Sequence, residues 1–155
     1  MQQETTMETV RRLVDAQQHL PGALLPILHA VQDALGHVPD EAVQAIAEGL
    51  NLSRAEVHGV ITYYHHFRRE PAGRHVLQVC RAESCQAMGA DALWAHACAR
   101  LGVQEGGTSA DGAVTLEPVY CLGLCAMSPA VALDEQPRAR MSAARLDTLL
   151  QGARP

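Results

Sequence analysis

The sequence predicts an α/β chain in two parts: a bundle of short helices over residues 1–70, then a β-α-β-β-α layer over 74–155. Three observations lead there. Apolar residues recur at helical spacing through residues 8–67. A polar break, Arg68-Arg69-Glu70-Pro71-Ala72-Gly73, then interrupts the pattern. Beyond it come short β-prone runs around one alanine-rich helix. With 155 residues, 48% hydrophobic and 19% charged, the chain can build a modest core. Aromatics supply only 3%, so alanine and branched aliphatics must fill it.

The helical part reads as four pieces. Val10, Leu13, Val14 and Leu20 lie at helical spacing until Pro21. Leu24, Leu28, Val31 and Leu35 form a second stripe, with Pro26 tolerable in its first turn, and Gly36 and Pro39 end it. A third begins near Asp40 and carries Val43, Ile46, Ala47 and Leu50. The fourth opens on a capping box, Ser53 with Glu56, ahead of Val57, Val60, Ile61 and Tyr64. Each stripe is narrow, so the bundle is expected to bury little alone and is read as a docking element.

In the second part Val76, Leu77 and Val79 form a strand ending at Cys80, and residues 86–101 a helix closed by Gly102. Strands are expected at 113–119 and 130–134. Gln136-Pro137 would turn the chain into a short piece at 138–141. Ser142 would cap a last helix through Leu149 and Leu150, with Gly152 after it.

Composition excludes several roles. The formal charge is −5, with twelve basic residues, all arginine, against seventeen acids. A nucleic-acid footprint needs a basic face, so no nucleic-acid partner is expected. No apolar run approaches a membrane span, and the first residues lack a secretory layout, so a cytoplasmic protein without a membrane partner is expected. Five cysteines in that setting read as thiols, metal ligands or catalytic groups, not as a disulfide framework. No Gly-rich phosphate loop, G-x-S-x-G or H-E-x-x-H occurs, and no catalytic residue is assigned.

Four of the cysteines form two close pairs, Cys80 with Cys85 and Cys121 with Cys125. Each pair follows a predicted strand, so both loops should leave the same end of the sheet. Adjacent strands lie about 4.8 Å apart, so the loops can enclose a small object. Cys85 would stand at the start of the 86–101 helix, where free N–H groups favour a thiolate. Four thiolates suit either tetrahedral zinc or an iron–sulfur cluster. The spacing of each pair is wider than the common zinc knuckle and favours iron, and a [2Fe–2S] cluster divides into one cysteine pair per iron. A zinc-stabilised interaction module with four structural cysteines stands as the alternative, and buried inert thiols as the bland one. Gly123, between Leu122 and Leu124, would let the backbone turn its amides toward a cluster that is a net anion. Cys98 falls in the stripe of the 86–101 helix and reads as core.

The runs VCRAESCQAMGA and VYCLGLCAMSPAVALD resemble the thioredoxin-like [2Fe–2S] ferredoxin family, which includes the 24-kDa subunit of complex I. The leader ALLPILHAVQDALGHVPDEAVQAIAEGLNLSRAEVHGVITYYHHF is similar to that family's helical leader, so the likeness covers roughly residues 20–150. The resemblance implies a thioredoxin-like fold for 74–155 and one [2Fe–2S] cluster on Cys80, Cys85, Cys121 and Cys125, with the first two on one iron. Tyr63-Tyr64 stands where many relatives have Phe-Tyr. Within the family, HGVITYYHHFRREPAGRH and CRAESCQAMG are most similar to the gamma-subunit branch of NAD-dependent molybdenum formate dehydrogenases. That branch implies an electron carrier beside a flavin- and NAD-binding subunit and a molybdenum-bearing catalytic subunit. FMN, NAD and the molybdenum cofactor would sit on those partners. The same subunit of an NAD-reducing hydrogenase or of complex I is the alternative.

The remaining candidates have plain readings. His58, His65 and His66 share or flank the fourth helix; a metal or proton-relay role is conceivable, but a polar contact surface is the simpler expectation. His75 projects from a strand and is a poor ligand. Arg81 and Arg100 could offset a cluster's charge, although solvated surface positions are the simpler reading.

Overall fold

The computed structural model describes residues 2–104 and 107–153. They fall into two compact units, Met1–Pro71 and Ala72–Pro155.

The first unit holds α1 (Gln2–Gln17), α2 (Leu24–Leu35), α3 (Asp40–Leu50) and α4 (Arg54–Tyr63). α1 starts well before the expected residue 8 because its polar first turns contain good helix formers without an apolar stripe. It stops at Gln17, leaving Leu20 beyond it and exposed. The capping box of α4 is formed: the Glu56 N–H donates to Ser53 Oγ at 3.2 Å, and the Ser53 N–H to Glu56 Oε2 at 2.8 Å. The expectation that this unit buries little is corrected. The four stripes converge on a core of their own, in which Val10, Ile27, Leu28, Val31, Ile46 and Val57 are fully buried. The buried Gln32 fastens the segment after α4. Its Nε2 donates to the His66 carbonyl at 2.8 Å, and its Oε1 accepts the Arg68 N–H at 2.7 Å. Arg69 adds a forked pair with Asp40 at 2.7 and 2.8 Å, on the surface and so of small energetic weight.

The second unit comprises β1 (His75–Cys80), α5 (Glu83–Ala87), α6 (Ala90–Leu101), β2 (Gly107–Thr108), β3 (Val114–Val119), β4 (Val131–Leu133), β5 (Gln136–Arg138) and α7 (Ala143–Ala153). The sheet order is β2-β3-β1-β4-β5; β1 and β3 are parallel and every other pair is antiparallel. Leu77, Val79, Val114, Leu116 and Val131 pack with Leu93, Ala97, Leu146 and Leu150 from α6 and α7. A cis peptide joins Ser128 to Pro129 just before β4. The β-α-β-β-α frame is present, with four local corrections. The helix expected over 86–101 is two helices, because Gly89 takes the left-handed conformation (φ 92°) between them. β2 was not anticipated, being two residues long. The turn after β4 lies at Asp134-Glu135, both at positive φ, so β5 is Gln136–Arg138 and not 138–141. Pro137 is tolerated there because β5 is an edge strand. α7 also runs through Gly152 to Ala153.

α6 and α7 are tied by Asp147, which accepts from His96 Nε2 at 2.9 Å and Arg100 Nε at 2.8 Å. The His96 hydrogen bond outweighs the opposing effect of desolvation and, helped by the Arg100 charge, holds the Asp147 carboxyl below the usual carboxylate range. A lowered folded-state pKa favours the folded form only where the unfolded carboxyl is ionised, above about pH 3.9. That contribution is lost as pH falls through the folded value. Asp147→Asn is therefore expected to lower the melting temperature at pH 7, and the gap to the wild type should close below about pH 4. A gap that stays constant from pH 7 to pH 3 in thermal circular dichroism would refute the assignment.

Candidate metal centre

β1 and β3 are parallel neighbours in register, with Cys80 opposite Val119, so the chain leaves both strands at the same end of the sheet. From β1 it passes into α5, which carries Cys85; from β3 it passes through Tyr120 to Cys121 and the short 3-10 turn Cys125–Met127. The four paired cysteines are thus gathered there, and α5 packs on the 3-10 turn. Cys121 and Cys125 face each other with sulfurs 3.8 Å apart. That is about the edge of a tetrahedron built on metal–sulfur bonds of ~2.3 Å. Cys80 and Cys85 each shift the other's pKa, and the charge of Cys85 is felt at Cys125. Among the described residues the thiols form two pairs, with no group of three or more converging on one point.

The two pairs differ in exposure. Cys80 and Cys85 are buried at 2% each, whereas Cys121 and Cys125 are exposed. Ala90 and Ala130 bury against the inner pair, and Ala82, Val119, Leu122 and Leu124 pack around it, which keeps water from the inner sulfurs. Burial raises the Cys80 pKa, only partly offset by the N–H groups of Ala82 and Leu122 aimed at its sulfur. Burial pushes Cys85 upward too, but hydrogen bonds from Ser128, Cys80 and the Ala130 N–H outweigh it and hold the thiol below its ordinary value. The Cys121 sulfur, by hydrogen bond and by charge, raises Cys125. Gly123, at φ 74°, turns its N–H onto Cys121 Sγ at 3.3 Å, the role expected of it. The expected reason for a thiolate at Cys85 is corrected: it sits within the five-residue α5, not at the start of a long helix, and side-chain and amide donors favour its anion.

The other candidates lie elsewhere. Cys98 is half-buried and packs against the core under the sheet. α4 ends at Tyr63, so His65 lies beyond the helix and does not share its face with His58. His58 lines an open cavity with Asp40, Arg54 and Arg69, while the His66 ring lies tilted against that of His29, 5.1 Å between centroids. His75 contacts Asp134 at 2.6 Å. Neither arginine is directed at the thiols: Arg81 lies over Trp94 at 5.2 Å and pairs with Asp91, and Arg100 pairs with Asp147. Ser84 and Ser128, whose hydroxyls lie 2.9 Å apart and both reach the Cys125 carbonyl, escaped sequence reasoning. Single serines carry no pattern that would reveal them.

Four thiols in two pairs at one end of an α/β sheet, with amide and hydroxyl donors nearby, are of a chemistry that suits a small anionic metal–sulfur centre. The donor set fits such a centre: two pairs for two metals, with amides offsetting the negative charge. The chain belongs to the thioredoxin-like [2Fe–2S] ferredoxin family, whose model matches residues 10–154. It is 39% identical over 132 residues to an NADH-quinone oxidoreductase subunit of Rhizobium meliloti (strain 1021), covering 85% of this chain and 79% of that protein. It is 36% identical over 129 residues to the corresponding NADH-quinone oxidoreductase subunit of Escherichia coli (strain K12), covering 83% and 78%. Among solved structures, the air-oxidized NAD+-reducing [NiFe]-hydrogenase aligns with a TM-score of 0.70 and 28% identity over 88% of this chain. The present chain spans 23% of that hydrogenase chain. The cofactor of this family is a [2Fe–2S] cluster, and the chain is an electron-transfer protein. Among the described residues no helix is long and apolar enough to cross a membrane.

Proposed function

We propose that the chain is the electron-transfer subunit of an NAD-dependent formate dehydrogenase, with one [2Fe–2S] cluster on Cys80, Cys85, Cys121 and Cys125. The observation that carries the ligand reading is the placing of two thiol pairs at the same end of two parallel strands. Such a cluster supplies one-electron transfer, and with all ligands from protein sulfur it offers no open position to a substrate. The chain's own residues do the rest. Cys80 and Cys85 anchor the inner side in an apolar pocket; Cys121 and Cys125 hold the outer side at the surface. The amides of Ala82, Leu122, Gly123 and Ala130 offset negative charge. Tyr120, at 65% exposed, and Met127, at 40%, flank the outer pair and supply an apolar rim for a partner. Hydride and formate chemistry then belong to flavin/NAD- and molybdenum-bearing partner subunits. The complex is read as cytoplasmic, a compartment that keeps thiols reduced.

The formate branch rests on the runs HGVITYYHHFRREPAGRH and CRAESCQAMG. A second reading, the equivalent subunit of complex I or of an NAD-reducing hydrogenase, is favoured by the relatives and the structural neighbour. One measurement tests the cluster that both readings share, and a second separates the two. Purified chain should be brown, with about two irons and two sulfides and a paramagnetic signal on one-electron reduction. Colourless protein holding one zinc would replace the cluster with the structural zinc module. The complex captured through a tagged chain should then reduce NAD with formate. NAD reduction with hydrogen, or quinone reduction by NADH, would move the assignment to the second reading.

A further inference from the structure

Outside the sulfurs themselves, one polar cluster touches the site without a role so far. The Ser128 hydroxyl lies 3.6 Å from Cys85 Sγ, 2.9 Å from Ser84 Oγ and 2.8 Å from the Cys125 carbonyl oxygen. Ser84 Oγ also lies 2.9 Å from that carbonyl. Two hydroxyl hydrogens therefore serve a single carbonyl, so one of them is spare. With Cys85 as a thiol, its S–H donates to Ser128. With Cys85 as a metal-bound thiolate that hydrogen is gone, and the sulfur accepts only. Ser128 can then turn its hydrogen to the sulfur, because Ser84 keeps the carbonyl satisfied. Cys85 is 2% exposed, and in such surroundings a hydrogen bond to an anionic sulfur counts for more than in water.

We propose that Ser128 is a positioning residue that donates a hydrogen bond to the Cys85 ligand sulfur and raises the reduction potential of the cluster, with Ser84 freeing it to do so. Reduction adds one negative charge, shared by the ligand sulfurs, so a donor at Cys85 favours the reduced form. The proposal rests on Cys85 being a ligand.

The test is a mediated redox titration of the full chain, followed by the paramagnetic signal of the reduced cluster. Ser128→Ala is expected to retain full iron and to shift the one-electron equilibrium about tenfold toward the oxidised form, a potential ~59 mV lower. Ser128→Thr, which keeps a hydroxyl, should hold the wild-type potential, whereas the near-isosteric Ser128→Val should follow the alanine variant. Ser84→Ala leaves Ser128 in place and should shift the potential less. A fully loaded Ser128→Ala or Ser128→Val chain at the wild-type potential overturns the proposal, as does a larger shift from Ser84→Ala. Should neither hydroxyl-free variant load iron, proton double resonance on the reduced wild type in H2O and D2O decides. An exchangeable proton not borne by nitrogen, told apart from the backbone amides by 15N labelling, is expected to couple to the cluster spin, and its absence overturns the proposal. The ligand reading fails separately, if Cys85→Ala keeps a wild-type cluster and potential.

Discussion

Cys121→Ala is expected to abolish or severely reduce cluster content, while Cys98→Ala leaves iron and sulfide unchanged. Cys121 lies 3.8 Å from Cys125 at the mouth of the site, and Cys98 cannot replace it, being half-buried beneath the sheet and packed against the core. On the proposed ligand set, removing one outer ligand would leave an iron with an incomplete sulfur set at an exposed position, where water and oxidants reach it. The measurement is iron and sulfide analysis beside the visible absorption of chains purified without oxygen. Normal iron in Cys121→Ala together with loss in Cys98→Ala would reverse the ligand assignment.

Leu77→Ala is expected to cost about 2–5 kcal/mol, the ordinary range for a buried leucine cut to alanine. Leu77 is fully buried in β1, which lies between β3 and β4, and is paired with Leu116 and Leu133 across the sheet. Against a total stability of about 5–15 kcal/mol for a domain, that loss brings the second unit near its limit. Cys80 lies three residues further along the same strand, so colour and strand structure should be lost together on heating. Circular dichroism and absorbance recorded in one temperature ramp provide the check. A variant that melts with the wild type would show that the cavity collapses at negligible cost.

Much of this architecture could be read in the residues, for reasons that are local. The capping box announced α4 because Ser53 and Glu56 satisfy each other's amides without help from the rest of the chain. The cysteine loops could be placed because strands ending in thiols, separated by a helix, tend to pair in parallel. What escaped depended on distant partners or on backbone choices that composition does not force. Gly89 could have continued a helix at modest cost, and its left-handed turn is what divides the expected helix into α5 and α6. Pro137 suggested a turn, yet an edge position let it stay in a strand. Gln32 reads as an ordinary polar residue on α2 until the carbonyl of His66 and the N–H of Arg68 arrive from more than thirty positions away. Ser128 depends in the same way on α5.

The side-by-side alignment of β1 and β3 separates two kinds of spacing along the chain. Inside each cysteine pair, the count of residues sets the bite of a loop and has little freedom. Between the pairs, the count is set only by whatever length the intervening excursion through α6 and β2 requires, because the strand ends are held abreast by the sheet itself. Lengthening or trimming that excursion near residues 102–112 changes the arithmetic of the sequence while leaving the claw untouched. Two such chains can therefore differ widely in the gap from Cys85 to Cys121 and still grip the same object.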